Sequence, residues 1–229
     1  MRKALGRSVR THAERAYNHA ILLAAFQAIY LIYQAALMHL EEWKSMSFIL
    51  TTERLGLRQV HMLDHEPMYR IFGDATVMRF GDGVQTRQWV GNWIARCLAQ
   101  YYQQWGFGPY AVVERKHFEV IGYCGLFYFP DINGHAEVEI GYRFVRTAWG
   151  YGYATEAATA VRDFAFQTLC LNRLIAMIDP HNHASIRVAE KLGMVYEGEV
   201  MFEGYDHPDH LYTVTVVKPD TNGEDVPVP

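Results

Sequence analysis

The sequence predicts an α/β fold of the mixed α+β kind, with helices covering one sheet. Three observations carry that expectation. Apolar residues recur with period two in several short segments and with period 3.6 in the segments between them. Half of the 229 residues are hydrophobic and 20% are charged, a globular composition that excludes a disordered, collagenous or disulfide-stapled chain. Residues 50–217 contain no internal repeat and no linker, so they read as one domain.

Arg54–Val60 alternates like a strand, and Leu63–Phe72 reads as a short helix with Asp64 as its cap. Thr86 opens a longer helix, with Trp89, Val90, Trp93, Ile94, Cys97, Leu98 and Tyr101 at helical spacing and an end near Gly106. Tyr110–Arg115 and Glu119–Phe129 form a hairpin around Lys116–Phe118. Asp131–Gly134 has turn chemistry, and Ala136–Val145 is again a strand. Beyond a Gly-rich turn, Ala154, Ala157, Ala158, Val161, Ala165 and Leu169 mark a helix. Arg173–Asp179 is a compact strand closed by Pro180. Asn182 caps a helix that Gly193 stops, and Met194–Phe202 and His210–Val217 are the last strands. The organisation expected is an N-terminal helical extension (1–46), the domain (47–218) and a polar tail (219–229).

Residues 1–46 carry a charge of +3, which leaves −7 of the overall −4 for residues 47–229. Ala20–Met38 is uncharged over 19 residues, just the length of a membrane span. Gln27 and Gln34 argue against a span, and the basic residues before it would place the domain outside the cytoplasm. The preferred reading is a helix packed on the domain or on a partner chain, with a homodimer among the assemblies it allows. Membrane association of residues 20–38 is the weaker alternative. No basic cluster supports a nucleic-acid partner. Cys97, Cys124 and Cys170 are odd in number and lack a CxxC pair, so they read as reduced thiols.

Trp149-Gly150-Tyr151-Gly152-Tyr153-Ala154-Thr155 lies between a strand and a helix. Such a turn aims backbone N–H groups and a helix dipole at an anion. It is not a Walker loop, because no GxxxxGK run exists. It is not a dinucleotide fingerprint either, because Thr155 stands at the third glycine position. A pyrophosphate that is bound without being cleaved suits it.

The run WGYGYATEA and the segment Asp179-Pro180-His181-Asn182-His183-Ala184-Ser185-Ile186-Arg187, continuing to Met194, resemble the GNAT N-acetyltransferases. The closest resemblance is to the branch named for ribosomal-protein N-terminal acetylation. Thr52-Glu53-Arg54-Leu55, Ile121-Gly122, Gly125-Leu126 and Glu139-Ile140-Gly141-Tyr142 support it, over roughly residues 50–217. The resemblance implies a mostly antiparallel sheet splayed in the middle, helices on both faces, and acetyl-CoA as co-substrate. By the same resemblance, Trp149 to Thr155 hold the pyrophosphate, the strand end Phe144–Val145 meets the pantetheine arm, and Asn182 and Arg187 contact the cofactor.

Acetyl transfer to an amine requires a neutral nitrogen, hence a general base. Glu137 and Glu139 share a strand face, and Glu139 matches the family's base glutamate. The family's acid tyrosine is replaced by Ala189. Ser185 is the hydroxyl nearest to it in sequence, with Tyr196 and Tyr212 as weaker candidates. His61 with His65, and His207 with His210, have ligand-capable spacings, but no cysteine pair or HExxH accompanies them and no metal is expected. The function expected is acetyl transfer to a primary amine, on a small molecule or a protein N-terminus, in the cytoplasm. Residues 61–85 and 200–210 are the loops that would choose the acceptor. The rival is a non-catalytic acyl-CoA-binding module assembled through the N-terminal helix.

Overall fold

The computed structural model describes residues 47–202 and 205–216. The expected N-terminal helix, its apolar stretch 20–38 and the tail 219–229 lie outside them. Among the described residues no helix is long and apolar enough to cross a membrane.

Eight strands form one sheet in the order β1-β2-β3-β4-β5-β6-β8-β7. They are β1 (Leu50–Thr51), β2 (Leu55–Gln59), β3 (Pro109–Glu114), β4 (Glu119–Ile132), β5 (His135–Phe144), β6 (Arg173–Ile178), β7 (Val195–Val200) and β8 (Asp209–Thr215). The helices are α1 (His65–Phe72), α2 (Arg87–Arg96), α3 (Tyr153–Gln167) and α4 (His183–Lys191). Every neighbouring pair is antiparallel except β5 and β6, which run parallel and touch at a single register position, Glu139 opposite Ile175. Past that point β5 and β6 part. The splayed, mixed sheet with helices on both faces is the one the sequence leads one to expect.

The α3 face is dry and closely packed. Ala157, Ala158, Val161 and Ala165 are fully buried, and their small side chains let the helix sit close to β4 and β5. On the opposite face Phe72 of α1 and Trp93 of α2 pack on Tyr123 of β4, with ring centroids 5.0–5.4 Å apart.

Three local details differ from expectation. Asp64 is not a cap. The His61 side chain caps the short 3₁₀ turn Met62–Asp64, while Asp64 is fully buried and takes both guanidinium nitrogens of Arg58 at 2.7 and 2.8 Å. Oδ2 of Asp64 also accepts from the His61 amide at 2.8 Å, which closes a capping box on that turn. The helix opened by Thr86 is α-helical only to Arg96, and Cys97–Trp105 continues in wider π-helical turns. Those turns let two consecutive tyrosines both face protein. Tyr101 packs on Trp105 and Phe127, while the Tyr102 hydroxyl accepts from Val60 N–H and donates to the Pro109 carbonyl. Finally, β4 runs on to Ile132, so the turn shrinks to Asn133–Gly134, both with positive φ, as a two-residue hairpin requires.

Candidate active site

The parting of β5 and β6 opens a cleft of about 580 Å³ through the middle of the sheet. Successive β5 residues line it from both faces, because the missing partner strand exposes each in turn. Glu139, Gly141 and Arg143 face the α1–α2 side with Tyr123 and Phe127, while Tyr142 and Phe144 face α3 and α4.

The Gly-rich turn sits at one end of this cleft. Gly150 and Gly152 adopt φ +81°, the left-handed region that a Cβ disfavours. The N–H of Trp149 donates to Arg146 and that of Glu156 to Gly152. Between them, the amides of Gly150 through Thr155 have no hydrogen-bond acceptor among the described residues. They stand at the N-terminus of the 15-residue α3, whose first-turn donors are unpaired by construction.

A clamp from the domain start orients this turn. Glu156 accepts from the Thr52 hydroxyl, from the Arg54 amide at 3.0 Å and from Arg54 Nε at 2.6 Å. Arg54 Nη1 donates to the Tyr151 carbonyl at 2.8 Å, and its guanidinium lies 4.6 Å from the Tyr153 ring centre. Holding the carbonyl of Tyr151 back leaves the neighbouring amides facing forward. The recurrence of Thr52-Glu53-Arg54 and Glu156 in one sequence thus has a mechanical cause.

The strand edge needs a correction. Val145 N–H donates to Ile121 on the β4 side, so strand alternation turns the main-chain groups of Tyr142 and Phe144, not those of Val145, to the open edge. The Phe144 carbonyl is already taken by the Trp149 indole N–H at 2.9 Å. Trp149 is therefore a brace between strand and turn.

Glu139 occupies the point where the sheet splits. Its Oε1 accepts from the Met177 amide at 3.2 Å. Burial pushes its carboxyl up to about 7, and Asp209 adds to that push against the opposing pull of Met177 N–H and Arg143. Glu137, on the same strand face, is spent in an ion pair with Arg173 at 3.0 Å, itself shared with Glu197. Gly141 leaves room for the Phe127 ring beside Glu139, since a Cβ there would sit 3.0 Å from that ring.

Of the residues singled out in the sequence, Glu139, Phe144, Trp149, Gly150, Gly152, Tyr153, Ala154, Thr155, Asn182 and Ser185 converge on the cleft. Val145, Tyr151 and Arg187 do not line it; Tyr151 is 64% exposed and Arg187 is exposed on α4. Asn182 caps α4, its Oδ1 accepting from Ser185 N–H at 3.2 Å. Ala189 lines the cleft where the family tyrosine is absent, and Tyr196 and Tyr212 lie away from it. His181 is held by Asp179, and the same carboxylate lies 3.5 Å from His207.

Three cleft residues escaped the sequence reading. Tyr142 is hydrogen-bonded to Ser185, and burial pushes its phenol up to about 12. Arg143 bonds the Tyr123 hydroxyl at 3.2 Å. Asp209 carries a buried oxygen, Oδ1, with no hydrogen-bond partner among the described residues. Period-two alternation from Glu139 could have flagged Arg143, but Asp209 arrives from a strand 70 residues further along.

This chain belongs to the GNAT acetyltransferase family and is an acyltransferase: the acetyltransferase (GNAT) domain matches residues 54–195. Among its relatives, the uncharacterized protein YkkB of Bacillus subtilis is 39% identical, the match covering 64% of this chain and 85% of that one. The spermidine N(1)-acetyltransferase of Escherichia coli K12 is 27% identical over 66% and 74% of the two chains. A GNAT-family acetyltransferase of Bacillus anthracis has a similar crystal structure. Its TM-score is 0.62 at 28% identity, over 74% of this chain and 98% of that one.

Proposed function

We propose that the protein moves the acetyl group of acetyl-CoA to the primary amine of a small molecule, by direct attack without an acyl-enzyme. The observation that carries this reading is Glu139, a carboxyl held near neutrality at the split of the sheet, with unpaired helix amides at one end of the same cleft. Those amides, Gly150 to Thr155, fit a pyrophosphate, and the open β5 edge at Tyr142 and Phe144 fits an amide-bearing arm. Acetyl-CoA supplies an activated acetyl thioester there.

The chain's own groups do the rest. An amine arriving at neutral pH is an ammonium without a lone pair, and Glu139 takes that proton. Backbone N–H groups on the open edge of β5 receive the negative charge that develops on the acyl oxygen. The Tyr142–Ser185 pair returns a proton to the leaving sulfur; Tyr142, pushed up to about 12, stays protonated at working pH. A strand tyrosine thus takes over the role that Ala189 leaves vacant on α4.

The acceptor loops support a small molecule over a polypeptide terminus. The Tyr205 hydroxyl donates to Asp82 at 2.9 Å, tying the loop after α1 to the loop before β8 beside the cleft. The resemblance to the branch named for ribosomal-protein N-terminal acetylation rests chiefly on the cofactor-side runs. Acetyl-CoA as donor supports a cytoplasmic enzyme. A thiol-release assay over small amines and N-terminal peptides tests this: release with small amines is expected, and silence across the panel despite tight acetyl-CoA binding would contradict it.

A further inference from the structure

The cleft holds two polar groups of opposite sign that the proposed chemistry does not use. Arg143 projects from β5 into the cleft, half-buried, with the Tyr123 hydroxyl at 3.2 Å as its one hydrogen-bond partner among the described residues. No carboxylate described lies within 4.0 Å of its guanidinium. Its nearest acids, Asp82 and Glu139, act on it only through space. A guanidinium has five donors, and leaving most of them unmet beside an apolar wall of Phe80, Phe127 and Tyr123 is costly. Gly81 leaves room for it, since a Cβ there would collide with Arg143 Nη2.

In the same cleft Asp209 presents a buried oxygen, Oδ1, that has no hydrogen-bond partner among the described residues. Glu139, Arg143 and Asp209 all line the one cleft, and Arg143 pulls while Asp209 pushes on the proton of Glu139. A ligand that satisfies all three has N–H donors at the Glu139–Asp209 end and an anionic group at the Arg143 end. Planar bidentate recognition of a carboxylate is what a guanidinium does best.

We propose that the acceptor is an amino acid or a close analogue, its amine at Glu139 and Asp209 and its carboxylate on Arg143 and the Tyr123 hydroxyl. This deepens the acetyltransferase reading and rests on it. A polyamine would place a second cation against Arg143, and like charges in a half-buried cleft repel.

The test compares amino acids with their decarboxylated partners, lysine with cadaverine, ornithine with putrescine and phenylalanine with phenethylamine, and includes spermidine. Acetyl-CoA-dependent thiol release is measured for the wild type, Arg143→Gln and Arg143→Lys, with acetyl-CoA affinity as the control for folding. Taking the acid-to-amine ratio of kcat/KM, and then its change between proteins, removes the intrinsic reactivity of each amine. At least one amino acid should exceed its partner by tenfold or more in the wild type. That ratio should fall by 10- to 100-fold in Arg143→Gln and by less in Arg143→Lys. Equal or better turnover of the decarboxylated amines or spermidine overturns the inference while leaving the acetyltransferase reading intact, as does a ratio that survives Arg143→Gln. Failure to bind acetyl-CoA, or to acetylate any amine, removes the reading of the site and the inference with it.

Discussion

Glu139 and Glu137 lie two residues apart on one strand face, yet they have different work. Glu137 is neutralised by Arg173, whereas Glu139, among the described residues, has one backbone N–H as its hydrogen-bond partner and shares the cleft with Asp209, whose Oδ1 has none. A base raised to about 7 is protonated, and idle, below that pH. The rate should therefore rise with pH through about 7. Glu139→Gln should lose about 10²–10⁴-fold in kcat and lose that limb of the profile, with acetyl-CoA affinity unaltered by calorimetry. A second prediction concerns Arg58 and Asp64, a buried bidentate pair whose side chains are 3% and 0% exposed. Asp64→Ala takes its carboxylate partner from the buried Arg58 guanidinium and should cost about 3–5 kcal/mol, read from the urea midpoint. The value of Glu139 was legible from its place in the Glu139-Ile140-Gly141-Tyr142 run. The burial of Asp64 was not, because its partner Arg58 comes from a strand that local sequence reads as half solvated.

At the scale of elements, the Gly-rich turn owes its direction to a residue about a hundred positions earlier. Arg54 grips both the Tyr151 carbonyl and Glu156, so Arg54→Met should let the turn rotate. Acetyl-CoA Kd should rise about tenfold, some 1.4 kcal/mol, by titration calorimetry. An unchanged Kd would show that the clamp serves stability alone. The starts of α3 and α4 were readable because glycine and asparagine mark helix ends by local rules. The π-helical turns after Arg96 were not readable, since Tyr102 is drawn inward by Val60, just past β2, and by Pro109 at the start of β3. For the same reason Val145 was given the open edge: which side a strand amide faces depends on pairing register, and that is a non-local property.

The whole molecule places the chemistry at a defect in its sheet. One parallel contact, Glu139 with Ile175, joins two antiparallel halves, and the missing hydrogen bonds beyond it are what the cleft offers to ligands. The same arrangement makes stability depend on pH. The folded-state carboxyl of Glu139 is raised above its unfolded value, so its neutral form favours the fold, and that advantage is lost as pH climbs from about 4.5 through about 7. Relative to Glu139→Gln, the wild type should lose up to ~3 kcal/mol across that window, measured as the difference in urea midpoints. The strands of the sheet were legible because their signals are local runs, and its splay came with the family resemblance that those runs carry. The acceptor end of the cleft was not legible, being assembled from β5, β8 and two loops far apart in the chain. The central claim is that unpaired amides from Gly150 to Thr155 hold a pyrophosphate, and amide NMR shifts of those residues during titration with CoA and with pantetheine test it directly. Large shifts with CoA and none with pantetheine, which lacks the diphosphate, are predicted; unmoved amides, or equal shifts with both, would contradict it.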